Sequence, residues 1–368
     1  MDNKPVFRPS FGNKPDQLIG RDEVINMVEE GLHSYPGSAE RADLIIGQRG
    51  MGKTALLLEI AERARGAGYV VARTTCGENM LDNIVELLQK EGSQFTKDEK
   101  KPIKGFSAGA MGFSLGLTFT EEAQRSFGFR VKLEMICEKL SSVGKHTLIL
   151  VDEVDPSLEQ MRELAAAYQE LAGEEADIAI VMAGLPGAIS GILNYKTLTF
   201  LNRAQLITLD YVMIPEVEAY YNSAFTRASI IADSEMIGKA AALTEGFPYK
   251  IQLIGSYLSK MSAGSIAVDD EMLKKAEAAA TADIDIKVVR AMLNPLSDLD
   301  MAILKAMAQD KSATRISDLE SRLNLTHGTV QTYRKRLIDA GVIRSPRRGE
   351  IEFVLPQMAD YLRRTYDE

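Results

Sequence analysis

Residues 42–65 read ADLIIGQRGMGKTALLLEIAERAR: a short apolar run, a loop rich in glycine, then a run with helical spacing. The loop fits G-x-x-x-x-G-K-[ST], with Gly47, Gly52, Lys53 and Thr54 at the defining positions. The spacing has a physical reason. Glycines let backbone N–H groups curl around phosphate oxygens, and the start of the next helix adds the positive end of its dipole. Lys53 then reaches the β and γ phosphates, and the Thr54 hydroxyl can ligate Mg²⁺. Gly47, Gln48, Arg49, Gly50, Met51, Gly52, Lys53 and Thr54 are therefore expected to cradle a triphosphate. Whether the nucleotide drives work or sets a conformation has to come from the rest of the chain.

Outward from this loop the pattern alternates. LIGRDEVINMVEEGL places Val24, Ile25, Val28 and Leu32 on one helical face, and YPGS breaks that helix. After the loop helix come a strand at YVVARTTC and a helix expected over Met80 to Gln89. Further helices are expected near Val131–Leu140 and Leu158–Leu171, with strands at TLILV, IAIVMA and QLITL. This predicts an α/β fold with a parallel sheet. Residues 92–128 interrupt it with KDEKKPIK and GFSAGAMGFSLGLTF, whose glycines at 105, 109, 112 and 116 suit an inserted hairpin better than a second phosphate loop. From Ile214 to about Asn294 the pattern is wholly helical. The expected domains are an extended segment (1–17), a P-loop core (18–212), a helical lid (213–294) and a C-terminal module (295–368).

Composition narrows the class. The 368 residues are 45% hydrophobic and 26% charged, ordinary globular material for two or three domains. The opening MDNKPVFRPSFGNKPDQ has no apolar core of a secretory signal, and the longest uncharged run, IAIVMAGLPGAISGIL, is too short to span a bilayer and is broken by Pro186 and Gly187. No membrane partner is expected. Cys76 and Cys137, with three scattered histidines, offer neither a zinc pattern nor a disulfide framework, so a cytoplasmic location is expected. The net charge of −9 is uneven: residues 291–368 hold 12 basic and 11 acidic side chains, and six of the basic ones fall between Arg334 and Arg348. A basic spot on an acidic body points to a local anionic partner.

A second motif completes the nucleotide site. HTLILVDEVD is an apolar strand ending in Asp152, expected to hold Mg²⁺ with Thr54, and Glu153, expected to polarise the attacking water. The succession LIGRDE, P-loop, LILVDE, a further strand, FLNRAQLITL and EGFPYKIQ resembles the AAA+ superclass of ATPases over about residues 18–294. It is most similar to the origin-recognition, initiator-like members and the related STAND signalling ATPases. The resemblance implies ATP as the nucleotide, an adenine beside Ile19, Gly20 and Arg21, and Arg203 as an arginine finger directed at a neighbouring copy. It also places Pro248, in a G-x-P step, near the bound nucleotide. Two positions depart from the pattern. The tip of IAIVMAGLP offers Met182, Ala183, Gly184 and Leu185 where a polar sensor belongs, and the lid offers Lys250 where an arginine senses the γ phosphate. Lys250 is read either as that sensor or as a solvated helix residue.

The last segment, from ISDLESRL to MADYLRR, resembles a winged helix-turn-helix. Thr326 suits the N-cap of a helix whose Val330, Tyr333, Leu337 and Ala340 share one face, with Gly341 at its end. Gln331, Thr332, Arg334 and Lys335, with Arg344, Arg347 and Arg348 of the hairpin, form the expected double-stranded DNA surface. The expected function is a slow Mg²⁺-dependent ATPase that gates DNA binding; the alternative is a signalling ATPase whose winged helix contacts protein.

Overall fold

The structure, a computed structural model, describes residues 5–10, 12–96, 113–195, 199–263 and 266–366. Along the chain, α1 (Asp22–His33) leads into β1 (Ala42–Ile46), α2 (Lys53–Gly66), β2 (Tyr69–Thr75) and α3 (Met80–Thr96). A hairpin of β3 (Phe113–Leu115) and β4 (Thr118–Phe119) precedes α4 (Glu121–Ser126) and α5 (Phe129–Ser142). Then follow β5 (His146–Asp152), α6 (Glu159–Gly173), β6 (Ile178–Gly184), α7 (Pro186–Leu193) and β7 (Gln205–Thr208). The five long-range strands pair in parallel in the order β2-β5-β6-β1-β7. Parallel strands covered on both faces read as continuous apolar runs, and β6 is buried at all seven positions. Side chains alternate between two cores: Leu44 faces α3, α5 and α6, while Ile45 faces α1, α2 and the lid. Each is fully buried, worth about 2 kcal/mol to the fold.

The topology fixes where a ligand sits. β1 lies between β6 and β7, yet the chain leaves it for β2 at the opposite edge. Connections diverge at the carboxyl ends of β1 and β6, the place where open α/β sheets bind ligands.

Two local expectations change. α3 runs beyond Gln89 to Thr96 because Leu88, Gly92 and Thr96 continue its buried face. Gly92 is packed so closely that a Cβ there would lie 2.3 Å from Leu117 of the hairpin, which covers this extra turn. The hairpin itself stacks Phe113 on Phe119, turning at Gly116 with φ 57°. Gly105, Gly109 and Gly112 lie outside the described residues. In the uncharged run, the strand gives way at Leu185 to α7, with Pro186 in its first turn. Proline suits that position because its missing N–H would be unbonded anyway.

The lid comprises α8 (Ile214–Arg227), α9 (Ser234–Leu243), α10 (Pro248–Met261), α11 (Asp270–Ile284), a π-helical turn (Asp285–Val289) and α12 (Arg290–Leu293). It is hinged to the core by Val212 N–H donating to Gly246 O, a turn that needs glycine: φ is 72° and a Cβ would fall 2.1 Å from Val212 O. The C-terminal module has α13 (Asp298–Ala308), β8 (Thr314–Arg315), α14 (Ile316–Leu323), α15 (His327–Asp339), β9 (Ile343–Arg344), β10 (Glu350–Phe353) and α16 (Gln357–Tyr366). Its antiparallel sheet, in the order β8-β10-β9, beside four helices is a winged-helix arrangement. Thr326 caps α15 by accepting from Thr329 N–H, and Gly341 leaves the helix at φ 71°. No helix among the described residues is long and apolar enough to cross a membrane.

Candidate nucleotide site

The loop after β1 is shaped by its glycines. Gly50 and Gly52 take φ 83° and 85°, and Gly52 forms the N-cap of α2, so Lys53 and Thr54 stand at the helix start. Gly47 N–H donates to Gly184 O, tying the tip of β1 to that of β6. Thr54 Oγ1 donates to Asp152 Oδ2 at 2.6 Å, so the two residues expected to share Mg²⁺ are brought together from α2 and β5. A hydroxyl beside a buried carboxylate is a hard-oxygen pair that suits Mg²⁺ completed by phosphate and water. The other Asp152 oxygen accepts from Glu153 N–H at 3.0 Å. Glu153 is exposed and held at φ 54°, a backbone region costly for a residue with a side chain.

Lys53 Nζ donates to Gly47 O and Gln48 O at 2.8 and 3.0 Å. Burial pushes its ammonium down to about 8; Asp152 and Glu153 oppose that shift and Arg49 adds to it. A positive charge kept in a poorly solvated loop suits an anionic ligand.

These groups open onto a cavity of about 710 Å³. Ile19 and Arg21 line it, and Gly20 between them takes φ 62° against Val212 and Glu216. Arg21 is buried and braces the wall: its guanidinium donates to Asp210 O at 2.7 Å and to Met51 O at 3.4 Å. Pro248 lines the cavity at the start of α10, and Phe247 sits on the loop so closely that a Cβ on Gly50 would lie 2.4 Å from its ring. Gly184 and Leu185 line the β6 side, where no polar side chain is offered. Lys250 is neither solvated nor at the cavity. It is buried, and its ammonium donates to Glu245 at 2.6 Å, because the Gly246 turn folds Glu245 back over α10. Arg203 is exposed in the turn before β7 and does not line the cavity. Residues the sequence did not single out also line it: Arg8, Tyr249, Gln252, Lys287 and Val288. They come from the leading segment, the lid and the π-helical turn, whose convergence has no local signature.

The winged helix touches the same place. A Cβ on Gly341, just past α15, would lie 2.2 Å from the Gln48 Oε1 of the phosphate loop. A Cβ on Gly187 would lie 2.2 Å from Asp339 O, so α7 and the end of α15 meet backbone to backbone. Tyr211 donates its hydroxyl to Val354 O at 2.7 Å. On the module's outer side Thr332, Lys335, Arg347 and Arg348 are exposed. Arg344 is exposed but paired with Glu352 at 2.7 Å, and Arg334 donates to Ser345 and Gln331 at 2.8 and 3.2 Å.

Residues 17–181 match the family model described as an AAA ATPase domain. The chain carries an AAA ATPase domain. Residues 287–362, the end of the lid and the winged helix, match a domain of unknown function, DUF8462. No curated protein matches the sequence. Among solved structures, the Walker-type ATPase of Pyrococcus abyssi superposes with a TM-score of 0.68 at 17% identity, covering 98% of this chain and 99% of its own. The ORC2 protein of Aeropyrum pernix, in its ADPNP-ADP complexes, gives 0.64 at 13% identity, over 97% of this chain and 96% of its own. The ADP form of the same protein gives 0.56 at 14% identity, over 98% and 97%. At these identities the likeness is one of fold, and it extends from the AAA domain through the lid to the winged helix.

Proposed function

We propose that this protein is an ATP-gated switch: the AAA domain binds ATP and Mg²⁺, hydrolyses ATP slowly, and through its phosphate loop controls how the winged helix engages double-stranded DNA. The observation that carries the reading is the contact of Gln48 with Gly341, which joins the second residue of the phosphate loop to the end of α15. Any shift of the loop around a triphosphate presses on that contact.

The residues divide the work. Lys53 and the backbone N–H groups of 47–54 hold the phosphates, Thr54 and Asp152 hold Mg²⁺, and Glu153 orients the water. The metal, when bound, neutralises charge on the phosphates. Slow turnover follows from the bare tip of β6 and from Lys250 being committed to Glu245, which leave the γ phosphate with few groups to stabilise its charge in the transition state. Arg203, exposed next to the edge strand β7, suits an arginine finger offered to a second copy. DNA binding rests on Lys335, Arg347 and Arg348, exposed and without a side-chain partner among the described residues, with Gln331, Thr332, Arg334 and Arg344 beside them.

The test is duplex binding across a salt series, with and without ATP, for the parent and for Arg347→Ala/Arg348→Ala. The proposal expects affinity that falls with salt, an ATP effect, and a shallower salt slope, by about 2, in the double variant. Absence of duplex binding would transfer the switch to the alternative output, a protein partner on the winged helix.

A further inference from the structure

The end of the lid reaches both the cavity and the winged helix through one short piece of chain. α11 runs without leaving helical geometry into the π-helical turn Asp285–Val289, and that turn runs on into α12. A π-helical turn takes an extra residue into each hydrogen-bonded loop, an irregularity found mostly where a helix serves a site. Two residues of this one, Lys287 and Val288, line the same cavity as Lys53 and Asp152.

The turn is also clasped to α16. Asp285 Oδ2 accepts from Arg364 at 2.7 Å, and its Oδ1 is buried with no hydrogen-bond partner, so Arg364 is the group that compensates this carboxylate. Arg290, the first residue after the turn, donates to the Tyr361 hydroxyl at 3.3 Å. Beside these polar contacts, Val288 and Val289 share one buried core with Met358, Tyr361 and Leu362 of α16. A displacement of the turn is therefore transmitted to α16 through both packing and charge.

Lys287 is placed to answer an anion. Its ammonium donates to Asp283 Oδ2 at 2.9 Å and is hydrogen-bonded to the Tyr249 hydroxyl. Tyr249 in turn lies on the loop after β1, where a Cβ on Gly50 would fall 3.4 Å from the Tyr249 Cβ. Lys287 thus stands one tyrosine side chain away from that loop. Its side chain is 40% exposed, and an ion pair so open to water contributes about 1 kcal/mol or less. Asp283 holds it only weakly against a multiply charged ligand.

We propose that Lys287 is a further ligand-binding residue, which takes the phosphates of a bound nucleotide from the lid side, and that the π-helical turn carries this occupancy to α16. The proposal rests on the nucleotide reading of the site. Its route is separate from the contact of Gln48 with Gly341: that one joins the core to the end of α15, and this one joins the lid to α16.

The test uses the full chain as the parent, Lys287→Met, Lys287→Arg and Arg364→Met, the last of which loosens the clasp away from the cavity. Calorimetric Kd values are measured for ATP and for inorganic tripolyphosphate, each with Mg²⁺. Amide hydrogen exchange is followed over residues 285–290 and α16, without ligand and at saturating ATP and Mg²⁺. Lys287→Met should raise Kd about tenfold for both ligands, the loss of one hydrogen bond between charged groups, and arginine should restore most of it. ATP should slow exchange in both stretches of the parent and in neither stretch of saturated Lys287→Met, while exchange without ligand stays the same in the two proteins. In Arg364→Met both Kd values should stay within about twofold of the parent, because the change is remote from the ligand, and the slowing should be lost in α16 alone. Unchanged Kd values in Lys287→Met overturn the proposal. So does a rise confined to ATP, which would put Lys287 at the nucleoside, and so does slowing of α16 that persists in saturated Lys287→Met. A parent that binds ATP with no change in α16 overturns the proposal and leaves the nucleotide reading standing. A parent that binds neither ligand overturns that reading, and the proposal with it.

Discussion

The tips of β1 and β6 are neighbours in one sheet and face one cavity, yet they are furnished differently. The β1 tip carries a glycine-shaped loop, a half-buried lysine and a threonine already bonded to Asp152. The β6 tip offers only Gly184 and Leu185. What they share is the winged helix, which rests on Gln48 beyond one tip and on Gly187 beyond the other. Under the proposed function, a site that takes a triphosphate at one tip, has no polar side chain at the other and is covered by a further domain would convert binding into movement of that domain. Fast turnover would need the furniture that β6 lacks.

The contrast can be broken most severely at the β1 tip. Lys53→Ala is expected to weaken ATP binding by at least 100-fold by calorimetry, because it removes the ammonium held over the loop at the start of α2, where charge-assisted bonds to the phosphates are expected. Glu153→Gln is next: ATP affinity stays within about twofold while turnover falls on the order of 100-fold, the usual contribution of a group that orients and deprotonates a water. Equal turnover in parent and variant would remove Glu153 from catalysis. At the shared cover, Gly341→Ala meets both a left-handed backbone and the Gln48 side chain. It should undock the winged helix, raising duplex affinity about tenfold without ATP and erasing most of the difference ATP makes.

Smaller effects come from titration. The Lys53 ammonium is pushed down to about 8 before ligand binds, and phosphates require it charged, so binding takes up a proton above that pH. ATP affinity should fall about fivefold between pH 8 and 9, with proton uptake visible as a buffer-dependent enthalpy. At the opposite end of β1, burial pushes the Asp43 carboxyl up to about 8, and its Oδ1 and the Gln205 Oε1 of its β7 partner are both buried without a hydrogen-bond partner. A carboxyl with a raised folded pKa keeps its stability contribution below about pH 4 and loses it as the pH rises through 8. Asp43→Asn should therefore stabilise the fold by about 2 kcal/mol at pH 8 and by little at pH 4, measured by denaturant unfolding.

What the sequence could show follows the same division. The glycine-shaped loop between β1 and α2, the end of β5 at Asp152 and the caps of α15 were legible as structure because each depends on residues close together in the chain and on backbone geometry that only certain side chains permit. The alternation of strands and helices was legible for the same reason. Lys250 was misread in both of its alternatives: nothing in EGFPYKIQ says that the Gly246 turn brings Glu245 over the helix to bury the pair. Pro186 and Gly187 do break the apolar run, as read, but they also begin α7, a helix the sequence reading did not name. The seating of the winged helix was invisible because its contacts, Gln48 with Gly341, Gly187 with Asp339 and Tyr211 with Val354, join residues more than 140 positions apart, through packing rather than pattern.

The central claim is that the phosphate loop holds the winged helix in place and lets it move when a triphosphate arrives. The direct test is a pulsed electron-paramagnetic-resonance distance between spin labels at Tyr35→Cys in the core and Ser321→Cys in the winged helix, both exposed, with Cys76 replaced by serine. The account predicts one narrow distance without nucleotide and with Gln48–Gly341 intact, and a second, different distance when ATP and Mg²⁺ are added to the Glu153→Gln variant. A single distance, unchanged by ATP and by Gly341→Ala, would contradict it.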